Sequence, residues 1–113
     1  MSIFKLLFGN LFQNPNVEVL TREDFKKAIS KPKVQLVDVR SKGEYKTGHI
    51  KGAVNIDFYQ PQNFRASFEK LDKNKPVYIY CRSGNRSRSA SRIISKMGFE
   101  QIYDLQGGIL NWK

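Results

Sequence analysis

Apolar residues along the chain occur either in short continuous runs or at helical spacing. The runs are typical of buried strands and cover residues 34–38, 53–56, 77–80 and 102–105. Helical spacing relates the apolar residues within 25–29, 62–72 and 90–97. Strands that alternate with helices predict an α/β fold, namely a three-layer α/β/α domain around a central, mainly parallel sheet.

Capping residues predict where several of these helices begin and end. Thr21 precedes Asp24 at the spacing of a helix N-cap, and Ser41 precedes Glu44 at the spacing of a capping box. Gly98 follows the last apolar residue of its helix, which predicts a C-terminus there. We interpret residues 13–17 as a loop, 107–108 as a turn and 109–112 as a closing helical turn.

The N-terminal segment is set apart from the pattern that follows it. Ile3, Leu7 and Leu11 lie four residues apart, which predicts a short amphipathic helix. Packing on the domain is favoured over contact with a partner or a membrane surface. The segment lacks an A-x-A cleavage pattern, and the chain has no run of 18 apolar residues, so we expect neither export nor stable membrane insertion. We therefore predict a segment and linker at 1–16 and one domain at 17–113.

The content of cysteine and histidine limits the possible chemistry. The chain has 113 residues with one cysteine, Cys81, and one histidine, His49. A disulfide framework is excluded, and so is a structural zinc site, which takes four Cys or His ligands. A lone thiol suits a reducing compartment, so we expect a cytoplasmic protein in which Cys81 is a reagent.

Positive charge is concentrated in one part of the chain. The formal net charge is +10, and five basic residues but no acidic residue lie between positions 81 and 99. The pattern predicts that something anionic binds there.

Cys81 follows the predicted strand 77–80, and a helix is expected a few residues later. In open α/β folds, ligands bind at the carboxyl ends of strands. The loop at 82–86 is small and polar and includes Gly84, so its N–H groups can surround an anion. We therefore expect a bound anion and a Cys81 thiolate near neutral pH. The alternative is that Cys81 is a buried strand-end thiol that acts as a small hydrophobe.

The sequence resembles the single-domain rhodaneses, a family of sulfurtransferases. The resemblance rests on 36–40 (LVDVR), 44–55 (EYKTGHIKGAVN), 77–87 (VYIYCRSGNRS) and 98–112 with its YDLQGG stretch. Each motif is weak alone, but four of them in family order and spacing, across residues 18–113, are specific.

The resemblance implies that Cys81 attacks the outer sulfur of thiosulfate or a similar donor and becomes a persulfide. The sulfur then passes to a thiophilic acceptor, which is cyanide in the assay and a thiol or thioredoxin-like protein in the cell. It implies neither a metal nor an organic cofactor. The donor-binding residues would be Arg82, Ser83, Gly84, Asn85 and Arg86.

The family pattern also suggests how the loop is held. Asp38 and Arg40 would support it from the end of the first predicted strand. Arg86 could reach the donor anion or turn inward, and the family pattern favours an Asp38–Arg86 pair, since a buried Asp needs such a partner. Arg82 beside the nucleophile resembles the thiosulfate-using members.

Other enzyme classes fit less well. A phosphatase or arsenate reductase of related fold uses Cys, five residues and then Arg, but position 87 is Ser87. A Cys–His dyad would need His49, which we expect to be structural and bound to backbone. Glu44 is expected to cap its helical turn.

Binding functions are the remaining alternatives. The chain could be a non-catalytic rhodanese-like binding module or a sulfur carrier, although the intact cysteine and loop argue against a module. Residues 86–92 resemble an RS-type RNA-binding segment, but they lie in a helical apolar pattern without an aromatic platform, so no nucleic-acid partner is expected. Phe58, Tyr59 and Phe64 could form a pocket rim or belong to the core.

Overall fold

A computed structural model of the protein describes residues 14–112. The amphipathic helix predicted within 1–12 therefore lies outside the described residues. Helices and strands alternate through the described chain, which ends in a 3₁₀ turn at Ile109–Asn111. The elements are β1 Val17–Leu20, α1 Arg22–Ile29, β2 Gln35–Asp38, α2 Lys42–Lys46, β3 Val54–Asn55, α3 Pro61–Glu69, β4 Val77–Tyr80, α4 Asn85–Lys96 and β5 Ile102–Leu105.

The five strands form one parallel sheet in the order β1-β5-β4-β2-β3. Strand β4 is central, so its carboxyl end lies between the ends of β2 and β5. In register, Asp38 pairs with Tyr80 and Ile79 pairs with Asp104. The predicted α/β fold is confirmed, and the sheet is wholly parallel among residues 14–112.

Helices cover both faces of the sheet and bury two separate apolar clusters. On one face, α3 and α4 contribute Phe64, Phe68, Ala90 and Ile94, which pack against Val37, Ile79 and their neighbours. On the other face, Phe25 of α1 packs against Leu36, Tyr80 and Leu105. Neighbouring residues of a strand point to opposite faces, so Cys81 lies with Ile79 on the side of α3 and α4.

The predicted caps of α1 and α2 are confirmed. The Asp24 N–H donates to the Thr21 hydroxyl (3.1 Å), and Ser41 and Glu44 form a reciprocal capping box. Helix α4 begins earlier than the predicted loop allows. Gly84 is its N-cap, with φ 109°, so Asn85 and Arg86 lie in the first helical turn and not in the loop.

Strand β1 was not predicted from the sequence. Residues 13–17 were interpreted as a loop, but Val17 pairs with Ile102 and starts an edge strand of four residues. The strand buries little apolar surface, and Val19 is 55% exposed. Its only sequence signal is the alternation in VEVL, and four residues are too few to predict a strand by themselves.

Helix α3 and strand β3 differ slightly from their predicted bounds. The helix runs over Pro61–Glu69 where 62–72 was expected, and it begins with proline at its first turn, where a missing N–H costs nothing. Strand β3 covers Val54–Asn55, within the predicted run 53–56.

In the part of the chain described here, no helix is long and apolar enough to cross a membrane.

Candidate active site

Cys81 follows directly after the central strand β4 and is 1% exposed. The Gly84 N–H donates a hydrogen bond to Cys81 Sγ (3.0 Å). The thiol in turn lies 3.5 Å from the Ser87 hydroxyl oxygen and donates to it. The sulfur is thus enclosed by the residues that follow it, from the loop into the first turn of α4.

The start of α4 is built to favour negative charge at this sulfur. Gly84 adopts φ 109°, a left-handed conformation that a side chain would strain. This turn aims the Gly84 N–H back at the thiol and starts the helix immediately afterwards. The first N–H groups of a helix lack partners within it, and the helix dipole adds positive potential there.

Of the five predicted donor-binding residues, Gly84 contacts the Cys81 sulfur directly. Arg82, Ser83 and Asn85 are exposed, and Gly84 is buried. Among residues 14–112, the Arg82 side chain has no ion-pair partner and is free to contact an anion. Farther along α4, Arg88, Arg92 and Lys96 form the expected exposed basic face.

Arg86 does not pair with Asp38, so that prediction is wrong. Its guanidinium instead makes two hydrogen bonds to the Glu44 carboxylate, at 2.6 and 2.9 Å. The same carboxylate caps α2 by accepting from the Ser41 N–H. The Arg86 hydrogen bonds lower the pKa of Glu44 to about 2. The pair joins α2 to the first turn of α4, a role that the capping spacing alone did not show.

Asp38 pairs with its near neighbour Arg40. The buried carboxylate accepts from Arg40 Nε and from Arg40 Nη2 (2.7 Å), and Nη2 also donates to the Gly48 carbonyl (2.7 Å). The Arg40 guanidinium lies 5.8 Å from the ring centre of Tyr80. The pair therefore supports β4 just before Cys81, and no contact of its side chains with residues 82–86 is recorded in the described structure.

The loop is clamped from the C-terminal side by a turn whose role was missed. The Ile109 N–H donates to the Cys81 carbonyl (2.9 Å), and the Leu110 N–H donates to the Arg82 carbonyl (3.1 Å). Gly108 has φ 66°, and a Cβ there would overlap the Arg82 carbonyl and lie 2.7 Å from the Cys81 carbonyl oxygen. Gly107 and Gly108 were interpreted only as a turn, although this glycine pair was the available signal for a close backbone contact.

Asp104 is a second missed residue. It lies on β5, is 5% exposed, and its Oδ1 has no hydrogen-bond partner among the described residues. Burial raises the pKa of Asp104 to about 6, while the Ser87 hydroxyl and the Arg88 charge act to lower it. The sequence signal was weak, because a single Asp inside an apolar strand resembles many solvent-facing residues.

His49 and the aromatic residues have clear positions. His49 Nδ1 lies 2.9 Å from the Tyr45 carbonyl oxygen, and its ring stacks on Tyr45, which agrees with the expected structural role. Phe64 is buried in the core, whereas Tyr59 is 62% exposed. The Arg86 guanidinium lies 5.5 Å from the Tyr59 ring centre, so Tyr59 belongs to the rim beside the Arg86–Glu44 pair.

Comparisons with known proteins agree with this architecture. The sequence profile of the rhodanese-like domain matches residues 21–113. The chain is 34% identical over 110 residues to the uncharacterized protein YqhL of Bacillus subtilis. The aligned region covers 97% of this chain and 83% of YqhL. It is also 34% identical over 85 residues to thiosulfate sulfurtransferase GlpE of Coxiella burnetii, with 75% of this chain and 77% of GlpE covered.

Some relatives are much longer. The chain is 37% identical over 86 residues to tRNA uridine(34) hydroxylase of Pelagibacter ubique, but it spans only 29% of that protein. Among solved structures, a rhodanese-related protein from Thermoplasma volcanium superimposes with a TM-score of 0.72 at 28% identity, covering 84% of this chain and 89% of that one. From its sequence profile, its parallel sheet and its loop after Cys81, the chain belongs to the rhodanese-like domain family.

Proposed function

We propose that the protein is a sulfurtransferase that moves a sulfane sulfur from thiosulfate, or a similar anionic donor, through a persulfide on Cys81. The observation that carries this proposal is the hydrogen bond from the Gly84 N–H to Cys81 Sγ at the start of α4. That arrangement stabilises a sulfur anion both before and after it has accepted the transferred atom.

In the first half-reaction, the Cys81 thiolate attacks the outer sulfur of thiosulfate. A bond forms between Sγ and that sulfur, the sulfur–sulfur bond of the donor breaks, and sulfite leaves with the bonding electron pair. The negative charge then lies on the terminal persulfide sulfur. Backbone N–H groups at the start of α4 can hold that charge, and Arg82 can neutralise the donor before it reacts.

In the second half-reaction, a thiophilic acceptor attacks the terminal persulfide sulfur. Cyanide becomes thiocyanate, a thiol becomes a persulfide, and the electron pair of the broken bond returns to Cys81 as a thiolate. A thiol or a thioredoxin-like protein is the proposed acceptor in the cell, and the cytoplasm is the proposed compartment. The proposed reaction uses no metal or organic cofactor.

The relatives support the same donor. A protein named thiosulfate sulfurtransferase matches most of this chain, and the match includes the part that carries Cys81 and its loop. The position at which a related phosphatase would have arginine is occupied by Ser87, which is fully buried against the thiol. A serine hydroxyl supplies no guanidinium to bind phosphate at this position, so sulfur transfer is the favoured chemistry.

The direct test is an intact mass measurement after incubation with thiosulfate, without reductant. We expect the wild-type protein to gain one sulfur atom and to lose it again on addition of cyanide. Cys81→Ser is the variant that should gain nothing, and circular dichroism shows whether it is folded. A folded wild-type protein that has a free thiol and forms no adduct would contradict the proposal for thiosulfate.

A further inference from the structure

The ion pair between Glu44 and Arg86 lies at the turn of α4 that faces Cys81. Gly84 is the N-cap of this helix and donates to Cys81 Sγ, and Arg86 is the second residue after it. The Gly84 carbonyl accepts the first hydrogen bond of the helix, so the N–H groups of residues 85–87 have no partner within it. Hydrogen bonding to Glu44 raises the pKa of Arg86, and the charge of Cys81 raises it further. Charge on this turn therefore acts on the sulfur and on a donor that approaches it.

Glu44 holds the Arg86 guanidinium with both carboxylate oxygens, at 2.6 and 2.9 Å. The carboxylate is itself fixed, because it accepts from the Ser41 N–H and from the Ser41 hydroxyl. The guanidinium also lies 5.5 Å from the Tyr59 ring centre. The charge of Arg86 is thus cancelled at short range by a carboxylate that cannot move without breaking the cap of α2.

Arg82 differs from Arg86 in this respect. It follows the nucleophile directly, is exposed, and has no ion-pair partner among residues 14–112. The buried pair of Asp38 and Arg40, before the loop, is neutral as a unit. Arg82 is therefore the guanidinium available to a donor anion, and Arg86 adds little net charge beside it.

We propose that Glu44 is a positioning residue that acts through Arg86: it cancels the Arg86 charge at the loop, so that the site accepts singly charged sulfur donors as well as the thiosulfate dianion. The inference rests on the proposed sulfur transfer, whose donor class it specifies. A thiosulfonate anion has the same outer sulfur as thiosulfate but one negative charge less. Without the Glu44 charge, two guanidinium groups would act on the donor, and dianions would be favoured in proportion to their additional charge.

Both kinds of donor react by the same step. The Cys81 thiolate attacks the outer sulfur, a bond forms between Sγ and that sulfur, and the sulfur–sulfur bond of the donor breaks. Sulfite leaves from thiosulfate and a sulfinate leaves from a thiosulfonate, each with the bonding electron pair. Because the nucleophile is the same, a change in the thiolate fraction of Cys81 cancels in the ratio of the two rate constants.

The test compares how fast thiosulfate and methanethiosulfonate load sulfur onto Cys81 at low ionic strength, followed by intact mass. Glu44→Gln keeps an oxygen that accepts from Arg86 but removes the negative charge. The ratio of the thiosulfate rate constant to the methanethiosulfonate rate constant should rise about threefold in this variant, the effect of one nearby unit charge on a donor with one more negative charge.

Three further variants separate the effect of charge from an effect on the fold. Arg86→Gln leaves Glu44 unpaired, so the ratio should fall by a similar factor. The two substitutions together make the pair neutral again and should restore the wild-type ratio, a rescue that a purely structural role does not predict. Glu23→Gln removes the same charge from an exposed position on α1 and should leave the ratio unchanged. Circular dichroism shows whether each variant is folded.

A second pair of probes gives a result that does not depend on sulfur transfer. Iodoacetate and iodoacetamide both alkylate Cys81, the only cysteine of the chain, with loss of iodide, and they differ by one negative charge. Glu44→Gln should raise the ratio of their rate constants about threefold in favour of iodoacetate. An unchanged ratio for either pair of probes in folded Glu44→Gln would overturn the inference. A raised alkylation ratio in a protein that takes sulfur from neither donor would contradict the proposed function alone.

Discussion

At the scale of single residues, the reactive sulfur is positioned mainly by backbone groups. The Gly84 N–H donates to Sγ, and the carbonyl groups of Cys81 and Arg82 are held by N–H groups of the 3₁₀ turn. Both glycines at these contacts, Gly84 and Gly108, have positive φ. Side chains can vary around such a site more freely than these two backbone positions can.

Gly108→Ala adds only one methyl group, but we expect it to disrupt the site. The new Cβ would overlap the Arg82 carbonyl at a backbone conformation that alanine rarely adopts. We expect a loss of about 2–3 kcal/mol in the free energy of unfolding and a lower kcat/KM for thiosulfate. Urea denaturation and steady-state kinetics measure the two effects.

Gly43→Ala is the matched control for that substitution. Gly43 lies in α2, and a Cβ there would meet nothing within 4 Å. Alanine is the better helix former, so stability should stay equal or rise by about 0.5–1 kcal/mol. If both glycine variants behaved alike, the proposed clamp on the loop would be wrong.

At the scale of elements, the Arg86–Glu44 pair links α2 to α4 across the end of the sheet. The two residues are separated by 42 positions in the chain, and their side chains are 17% and 30% exposed. Glu44 also completes the capping box of α2. The Glu44 carboxylate therefore caps the N-terminus of α2 and also binds the first turn of α4, the turn that faces Cys81.

Glu44→Gln should weaken this link in a pH-dependent way. The amide oxygen can still cap α2, so the variant removes mainly the charge. The pKa of Glu44 is lowered to about 2 in the folded state from 4.5, so the unfolded chain binds more protons between these values, and stability falls as the pH drops through them. Because the pair is partly exposed, we expect a loss of about 1 kcal/mol at pH 7.

The measurement is urea unfolding of wild type and Glu44→Gln at neutral pH and again near pH 2. The difference between the proteins should shrink at the acidic end, where Glu44 of the wild type becomes protonated as well. Glu23→Gln, which breaks the more exposed pair with Arg22, should have a smaller effect at neutral pH. A difference that stays constant with pH would show that the charge of Glu44 does not hold the link.

At the scale of the whole molecule, the protein is strongly basic, and part of its positive charge lies on the helix that begins at the site. The net charge is +10, and the exposed face of α4 presents Arg88, Arg92 and Lys96. Such a field attracts small anions to the mouth of the loop and is screened by salt.

We expect kcat/KM for thiosulfate to fall as ionic strength rises. The double variant Arg92→Gln with Lys96→Gln should lower kcat/KM by about two- to threefold at low salt and flatten its salt dependence. Lys27→Gln with Lys31→Gln removes the same charge from the region of α1, on the opposite face, and should have little effect. Equal salt dependence in all three proteins would rule out steering by α4.

Most elements were predictable because local pattern determines them. The runs at 77–80 and 102–105 coincide with β4 and β5, and the caps at Thr21 and Ser41 start α1 and α2 as expected. Strand β1 was not predicted from the sequence, because it gains its stability from pairing with β5 and not from its own apolar residues. The division of the chain at 16 and 17 stays a prediction.

The ion-pair partner of Arg86 could not be predicted from local sequence pattern. From the sequence, Asp38 and Glu44 were both carboxylates that could meet a guanidinium, and the spacing of Glu44 already explained it as a cap. In the structure, Arg40 forms an ion pair with Asp38, and Arg86 pairs with Glu44 instead. Choosing between them requires the positions of strand ends and helices relative to one another.

By itself, the sequence determined the alternation of strands and helices, the position of Cys81 at the end of an apolar strand, and the small polar turn before a helix. These follow from periodicity, capping and turn chemistry, which act over a few residues. The tertiary structure alone decided that the 3₁₀ turn clamps the loop and that Asp104 is buried beside Ile79 of β4. Both depend on β5 lying beside β4, and strand order is set by long-range packing that no local pattern encodes.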